Sequence, residues 1–107
     1  MATRKEVRGW SVEELIESFE KDMSLTTPGF YQRFDQSSAR HELCQRGRNV
    51  LRSIIDHIRQ NPPDSNLEHA WWYLFNWIKA NVDPKSPKPK DISNIKEWIQ
   101  WAEKFTV

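Results

Sequence analysis

An arginine and a histidine five residues apart are the residues of this sequence best suited to catalysis. They stand at the ends of the segment Arg52-Ser-Ile-Ile-Asp-His57. The histidine could serve as a general acid or base, and the guanidinium could stabilise the charge of a phosphate. On one helix the two residues would point about 140° apart. A joint site would therefore need a seam between two copies of the chain.

The Arg-x4-His spacing resembles the signature of HEPN ribonucleases, small all-α proteins in which both residues flank a scissile phosphate. The resemblance implies an RNA-cleaving homodimer with Arg52 and His57 as the catalytic residues. A spacing this short also arises by chance in a chain with eight arginines and three histidines. A nucleic-acid-directed protein, including such a ribonuclease, is therefore the alternative hypothesis.

Basic residues gather in the middle of the chain, where residues 33–59 hold six arginines and three acids. We consider five of them as possible contacts to an anion or a nucleic acid: Arg40, Arg46, Arg48, Arg52 and Arg59. No nucleic-acid-binding motif accompanies them, and the net charge of +1 predicts no bulk attraction to nucleic acid or anionic membranes. We favour a solvated arginine-rich face with salt bridges to Glu42 and Asp56.

A metal site is not predicted. His41 and Cys44 are one helical turn apart, but two ligands do not make a site and no further ligands are evident. Cys44, as the single cysteine, is expected to be a small buried apolar residue, and it excludes an internal disulfide. No cofactor motif is present either, so we expect no cofactor.

The elements that would position these residues are helices. Ser11 and Glu14 form a capping box before the first helix, and Ser65 and Glu68 form another before a helix over 66–81. Other predicted start signals are Thr27-Pro28 for a short turn, Ser37 or Ser38 for a second helix that ends at Gly47, and Asp91 for the last helix. The last helix should bury Ile92, Ile95, Trp98, Ile99 and Ala102.

These signals predict an all-α fold, a single small domain of four to five helices spanning residues 1–107. Leu51, Ile54, Ile55 and Ile58 repeat with the period of a helix between the second helix and Pro62. Residues 1–9 are expected to be flexible. Residues 83–90 form a Pro/Lys-rich connector, which we expect to be an extended spacer, with a ligand for a proline-reading domain as the alternative.

The aromatic stretch 69–79 suggests where a partner could bind. On a helical wheel Trp71, Leu74 and Ile78 form the centre of the buried face, bordered by Phe75 and Trp77. Trp72 points away, and its neighbours one turn along include Asn76 and Lys79. Since aromatic residues ringed by polar groups are favoured at interface centres, we predict a partner-binding surface of Trp72, Asn76 and Lys79. In the alternative, the last helix or the connector covers Trp72.

Residues 38–105 resemble short uncharacterised bacterial helical proteins related to HEAT-like α-hairpins. The shared elements are QRGRNVL, SIIDHI, AWWYLFNWI, a proline-bearing gap and IKEWIQWAEK. The resemblance implies HEAT-like packing, and because these motifs are packing motifs it implies no catalytic residues. The chain has too few units for a solenoid with a long concave surface.

The leading hypothesis is therefore a non-enzymatic protein-interaction module, an accessory, antitoxin-like or inhibitor-like protein of a bacterium or phage. The sequence shows no signal peptide and no apolar run long enough to span a membrane, which predicts a cytoplasmic protein. A protein partner is expected, and a homodimer is one possible form of it.

Overall fold

The computed structural model describes residues 3–24 and 29–106, and within these ranges the chain forms α-helices and no β-strand. The helices are α1 (Arg4–Val7), α2 (Val12–Met23), α3 (Phe30–Gln36), α4 (Ser38–Arg46), α5 (Leu51–Gln60), α6 (Ser65–Val82) and α7 (Ile95–Glu103). The predicted all-α class is confirmed. Five of these helices have nine or more residues, and α1 and α3 are short additions.

Two of the predicted helix starts are confirmed by their hydrogen bonds. The Ser11 hydroxyl accepts from the Glu14 amide at 3.1 Å, and the Glu14 carboxylate accepts from the Ser11 amide at 3.0 Å. Ser37 caps α4 by accepting from the Arg40 amide at 3.2 Å. Thr27 and Pro28, the predicted start of a short turn, lie outside the described residues.

Two other predicted caps are wrong by one to three residues. The side chain of Asp64, rather than Ser65, accepts from the Leu67 amide at 2.9 Å and begins α6. Asn94, rather than Asp91, caps α7 by accepting from the Lys96 amide at 3.0 Å. Asp91 instead accepts from the Ser93 amide and forms a turn outside the helix. As a result Ile92 precedes α7 and is 44% exposed, so it is not part of the buried face.

The core lies where α2, α4, α5, α6 and α7 meet. Helix α2 packs on α4 and α6, and α7 packs on α5 and α6. The largest fully buried side chains include Trp71, Trp98, Phe19, Phe34 and Phe75, which confirms the predicted core positions of Trp71 and Trp98. Helix α1 packs on α4 and buries Val7, a contact that the sequence analysis did not predict for residues 1–9.

A 3₁₀ turn, Gly47–Val50, separates α4 from α5. Gly47 has a φ of +58°, and a Cβ placed there would lie 3.2 Å from Val82 Cγ2 at the end of α6. A positive φ is readily available only to glycine. The predicted stop at Gly47 is therefore confirmed.

The connector after α6 is bound to the helices on either side. Lys79 is 3% exposed, and its ammonium donates to the carbonyl oxygens of Asp83 (2.8 Å) and Ser86. The Asp83 carboxylate accepts from the Ser86 hydroxyl and from the Trp101 indole, the latter at 3.1 Å. These bonds hold the first turn of the connector between α6 and α7.

Among the described residues, none of the helices has the length and apolar character needed to cross a lipid bilayer.

Candidate functional site

The structure places His57 in a cleft between α2 and α5. Its Nε2 lies 2.9 Å from Glu20 Oε1, although the two groups are not aligned as a hydrogen bond. The other oxygen of Glu20 accepts from the Trp71 indole at 3.0 Å. Glu20 therefore joins the histidine to the core tryptophan, a role that no motif in the sequence indicated.

Arg52 does not share this environment. Its side chain is 69% exposed and pairs with Asp56, with 3.3 Å between Nε and Oδ2. The two proposed catalytic residues therefore have different partners within one chain, as their angle on the helix predicted.

The cleft has the wrong charge for a phosphate. It has a volume of about 490 Å³ and is lined by Glu13, Ile16, Glu17, Glu20, Ser53, Asp56, His57 and Gln60. Four carboxylates surround the histidine, and no lysine or arginine is among these lining residues. Like charges repel across a few ångströms, so this arrangement disfavours an RNA backbone beside His57.

The five arginines do not form one surface. Arg40 is 7% exposed, so its predicted place on a solvated face is wrong. Its guanidinium donates to the carbonyl oxygens of Phe34 (3.0 Å) and Asp35 (3.1 Å) and lies over the rings of Phe34 and Trp77. Arg40 is buried because the end of α3 supplies carbonyl acceptors that satisfy its charge.

The remaining arginines are held by acids, carbonyl groups or a ring. Arg46 pairs with Glu42 and donates to the carbonyl oxygens of Arg8 and Trp10 at 3.2 and 2.7 Å. Arg59 pairs with Glu103 at 2.7 Å, and Arg48 lies over the Phe105 ring. The predicted salt bridges to Glu42 and Asp56 are confirmed.

His41 and Cys44 do not form a metal site. Cys44 is 7% exposed, and burial raises the pKa of its thiol to about 11, which keeps it protonated at neutral pH. Within the described part of the chain, no three histidine, cysteine or acidic side chains are placed to hold one metal ion. Cys44 belongs to the apolar core, as predicted.

A set of aromatic side chains from α3 and α6 lies at the edge of the core, where Trp72 and Tyr73 still pack against it. We call Tyr31, His69, Trp72, Tyr73 and Trp77 the outer aromatic face. His69 stacks on Trp72 with a centroid distance of 4.8 Å and an interplanar angle of 6°. Tyr31 packs edge-on against Tyr73 at 5.3 Å. Trp77 is one turn beyond Tyr73, and consecutive turns of a helix are neighbours.

The outer aromatic face is partly exposed, and the exposure of its two tryptophans differs from the prediction. Tyr31 is 58% exposed and Trp77 is 44% exposed. Trp72 is less exposed than either and is half-buried. The helical wheel predicted Trp77 at the border of the core and Trp72 as the most outward tryptophan. In the described residues, the ring contacts of Trp72 are with His69 and Tyr73 of its own helix.

The three residues predicted to bind a partner do not lie together. Lys79 is buried and bonds to the connector, so its predicted place on the surface is wrong. Asn76 is half-buried, and its Oδ1 is enclosed without a hydrogen-bond partner among the described residues. Of the three, Trp72 belongs to the outer aromatic face.

Comparison with protein-family models, curated proteins and solved structures finds no match to this chain.

Proposed function

We propose that this chain is a non-enzymatic protein-interaction module that binds its partner through the outer aromatic face. The observation that carries the proposal is the exposure of two aromatic side chains: Tyr31, which contacts His69 and Tyr73, and Trp77, one helical turn beyond Tyr73. Water-exposed aromatic rings are costly, and tyrosine and tryptophan dominate the binding energy of protein interfaces. Arg40 supports the face from beneath, since its guanidinium lies 5.8 Å from the Trp77 ring.

Two enclosed polar atoms of α6 lie close to Trp72, one turn to either side of it. Asn76 Oδ1 and His69 Nε2 are enclosed without a hydrogen-bond partner in the described part of the chain. An enclosed polar atom without a partner costs about 1–3 kcal/mol. A partner that bonded to Asn76 after a rotation of its amide would remove that cost.

The wider setting of the proposal follows from the sequence. We place the module in the cytoplasm of a bacterium or phage-infected cell, as an accessory, antitoxin-like or inhibitor-like protein. We further propose HEAT-like packing, for which α6 and α7 would supply the α-hairpin, because they are consecutive and in contact. The partner is a protein, and a second copy of this chain is one candidate.

The test compares two residues with equal exposure. Trp77 and Ile92 are each 44% exposed, but only Trp77 belongs to the outer aromatic face. We expect Trp77→Ala to weaken association by about 2 kcal/mol, or roughly 30-fold in Kd, and Trp72→Ala to weaken it in the same direction. Ile92→Ala should leave Kd unchanged. All three should unfold within a few degrees of the wild-type chain.

Association is measured by sedimentation velocity for the homomer, and by titration with a partner recovered by affinity capture. Equal Kd values for the Trp77 and Ile92 variants would refute the outer aromatic face as the binding surface. RNA cleavage that is lost on His57→Ala would instead favour the ribonuclease alternative.

A further inference from the structure

Three polar atoms converge on one nitrogen of His41. Its Nε2 lies 2.9 Å from Arg4 Nη2 and 3.0 Å from Arg40 Nη2, and both of these atoms are donors. The same nitrogen lies 2.7 Å from the carbonyl oxygen of Asp35, which is an acceptor. Arg4 is on α1, His41 and Arg40 are on α4, and Asp35 is near the end of α3. The histidine therefore lies where three helices meet.

The state of the ring decides which of these contacts can form. A neutral ring with its proton on Nδ1 offers one lone pair at Nε2, which the two guanidinium groups share. A protonated ring carries a hydrogen on Nε2, which can donate to the Asp35 carbonyl but repels both guanidinium groups. The two sets of contacts exclude each other.

Arg4 can move away from His41 more easily than Arg40 can. Arg40 is buried and keeps its bonds to the carbonyl oxygens of Phe34 and Asp35. Arg4 is exposed, and its contact with His41 ties α1 to α4. Protonation of His41 therefore displaces Arg4 rather than Arg40.

A second set of hydrogen bonds holds the residues that follow α1. Arg46 donates to the carbonyl oxygens of Arg8 and Trp10, and this bond does not depend on a titrating group near pH 7. Loss of the Arg4 contact would therefore loosen the first turn of α1 about a fixed point at residues 8–10.

We propose that His41 is a pH-operated latch for the N-terminal helix: neutral His41 holds Arg4 and keeps the start of α1 on α4, and protonated His41 donates to the Asp35 carbonyl and releases Arg4. Around the latch, the charged groups are Arg4 from α1, Arg8 directly after α1, Asp35 from α3, and Arg40 and Glu42 from α4. From α2, Asp22 reaches the base of α4, where it accepts from the Ser37 hydroxyl.

The balance of these groups sets the direction of the switch. Burial lowers the pKa of His41 below its ordinary value of 6.5, and Arg40 and Arg4 lower it further, while the Asp35 carbonyl and carboxylate oppose the change. His41 thus binds a proton less readily when α1 is docked than when α1 is released. The contribution of His41 to docking is therefore undiminished above pH 6.5 and decreases as the pH falls below that value.

Hydrogen exchange with a non-titrating variant tests the latch. The Val7 amide donates to the Thr3 carbonyl at 3.2 Å and reports on α1, while the Leu15 amide, which donates to Ser11, is the internal reference. Between pH 7.5 and 5.5 the protection of Val7 relative to Leu15, corrected for intrinsic rates, should fall about two- to fivefold in the wild-type chain. His41→Gln keeps a neutral acceptor, so its ratio should not change with pH.

Arg4→Ala should give low protection of Val7 at both pH values. The nitrogen shifts of the His41 ring should show the Nδ1–H tautomer at pH 8 and a pKa below 6.5. An equal loss of protection in the wild-type chain and His41→Gln would overturn the latch, as would an Nε2–H tautomer at pH 8.

Discussion

The two sides of α6 are both aromatic but differ in how their polar edges are satisfied. On the inner side Trp71 donates to Glu20, and on α7 Trp98 and Trp101 donate to the Ile92 carbonyl and the Asp83 carboxylate. On the outer side, among the described residues, the indoles of Trp72 and Trp77 have no acceptor. A buried indole needs an acceptor, whereas an exposed one can donate to water or to a partner. The acceptors therefore distinguish core tryptophans from surface tryptophans.

The largest effect should come from exchanging the neighbouring tryptophans of α6 for alanine. Trp71 is fully buried and packs against Phe19 at 4.9 Å, so Trp71→Ala should lower the free energy of unfolding by about 3–5 kcal/mol. Trp72→Ala should cost much less, since Trp72 is half-buried. Urea unfolding monitored by circular dichroism measures both values. Equal losses would mean that the two sides of α6 do not differ as described.

A smaller effect is expected at the one lysine on the buried side of α6. Lys79→Met keeps most of the apolar stem but leaves the Asp83 and Ser86 carbonyl oxygens without their donor. We expect a loss of about 1–3 kcal/mol in the free energy of unfolding. Lys85→Met, which changes an exposed lysine of the same connector, is the control and should change it by less than about 0.5 kcal/mol. A fully stable Lys79→Met variant would show that the connector does not depend on this ammonium group.

The smallest effect concerns the acceptor of Trp101. Hydrogen bonds from the Ser86 hydroxyl and the Trp101 indole lower the pKa of Asp83 below its ordinary 3.8. Because the folded chain releases this proton more readily than the unfolded chain does, the stabilisation is present above pH 3.8 and is lost as the pH falls through the lower folded value. Asp83→Asn should therefore be less stable than the wild-type chain at pH 6, and the gap should narrow toward pH 3. Denaturant unfolding at each pH measures the gap. A gap that is constant over this range would contradict the assignment.

The sequence was sufficient for the fold class and for the centre of the core. Helical periodicity and the Ser11–Glu14 capping box are local signals, and both survive in the structure because no distant contact competes with them. Trp71 was correctly placed in the core because it shares one face with Leu74 and Ile78, all three of which are at most 1% exposed. Trp98 was assigned in the same way.

The sequence did not predict which residues at the boundary of the core are buried. A helical wheel gives the angles between side chains, but the width of the buried arc depends on what packs against the helix. Lys79 is buried because the connector returns its carbonyl oxygens to α6, and Trp77 remains exposed because the opposite edge has less cover. Both depend on groups outside α6 rather than on the periodicity of the helix itself. The same holds for Arg40, whose acceptors come from α3.

Local competition explains the two misplaced caps. Asp64 and Ser65 are both good capping residues, as are Asp91 and Asn94, so spacing alone cannot choose between them. The chain selects Asn94 because Asp91 is used in the turn with Ser93. At the candidate site, three acids of the cleft come from α2, whereas His57 and the fourth acid come from α5, so only the folded chain brings them together.

The conformation of Gly47 limits which substitutions homologues of this chain can carry at this position. Two independent effects oppose an L side chain in the turn between α4 and α5: the positive φ strains its backbone, and its Cβ would press on the nearby Val82 methyl. A change at Val82 would remove only the second. We expect the position to accept no single substitution without a shift of α5, whereas Gly9, which has open space around it, can change freely. Distant relatives that have lost most other identities should therefore still keep a glycine between these two helices.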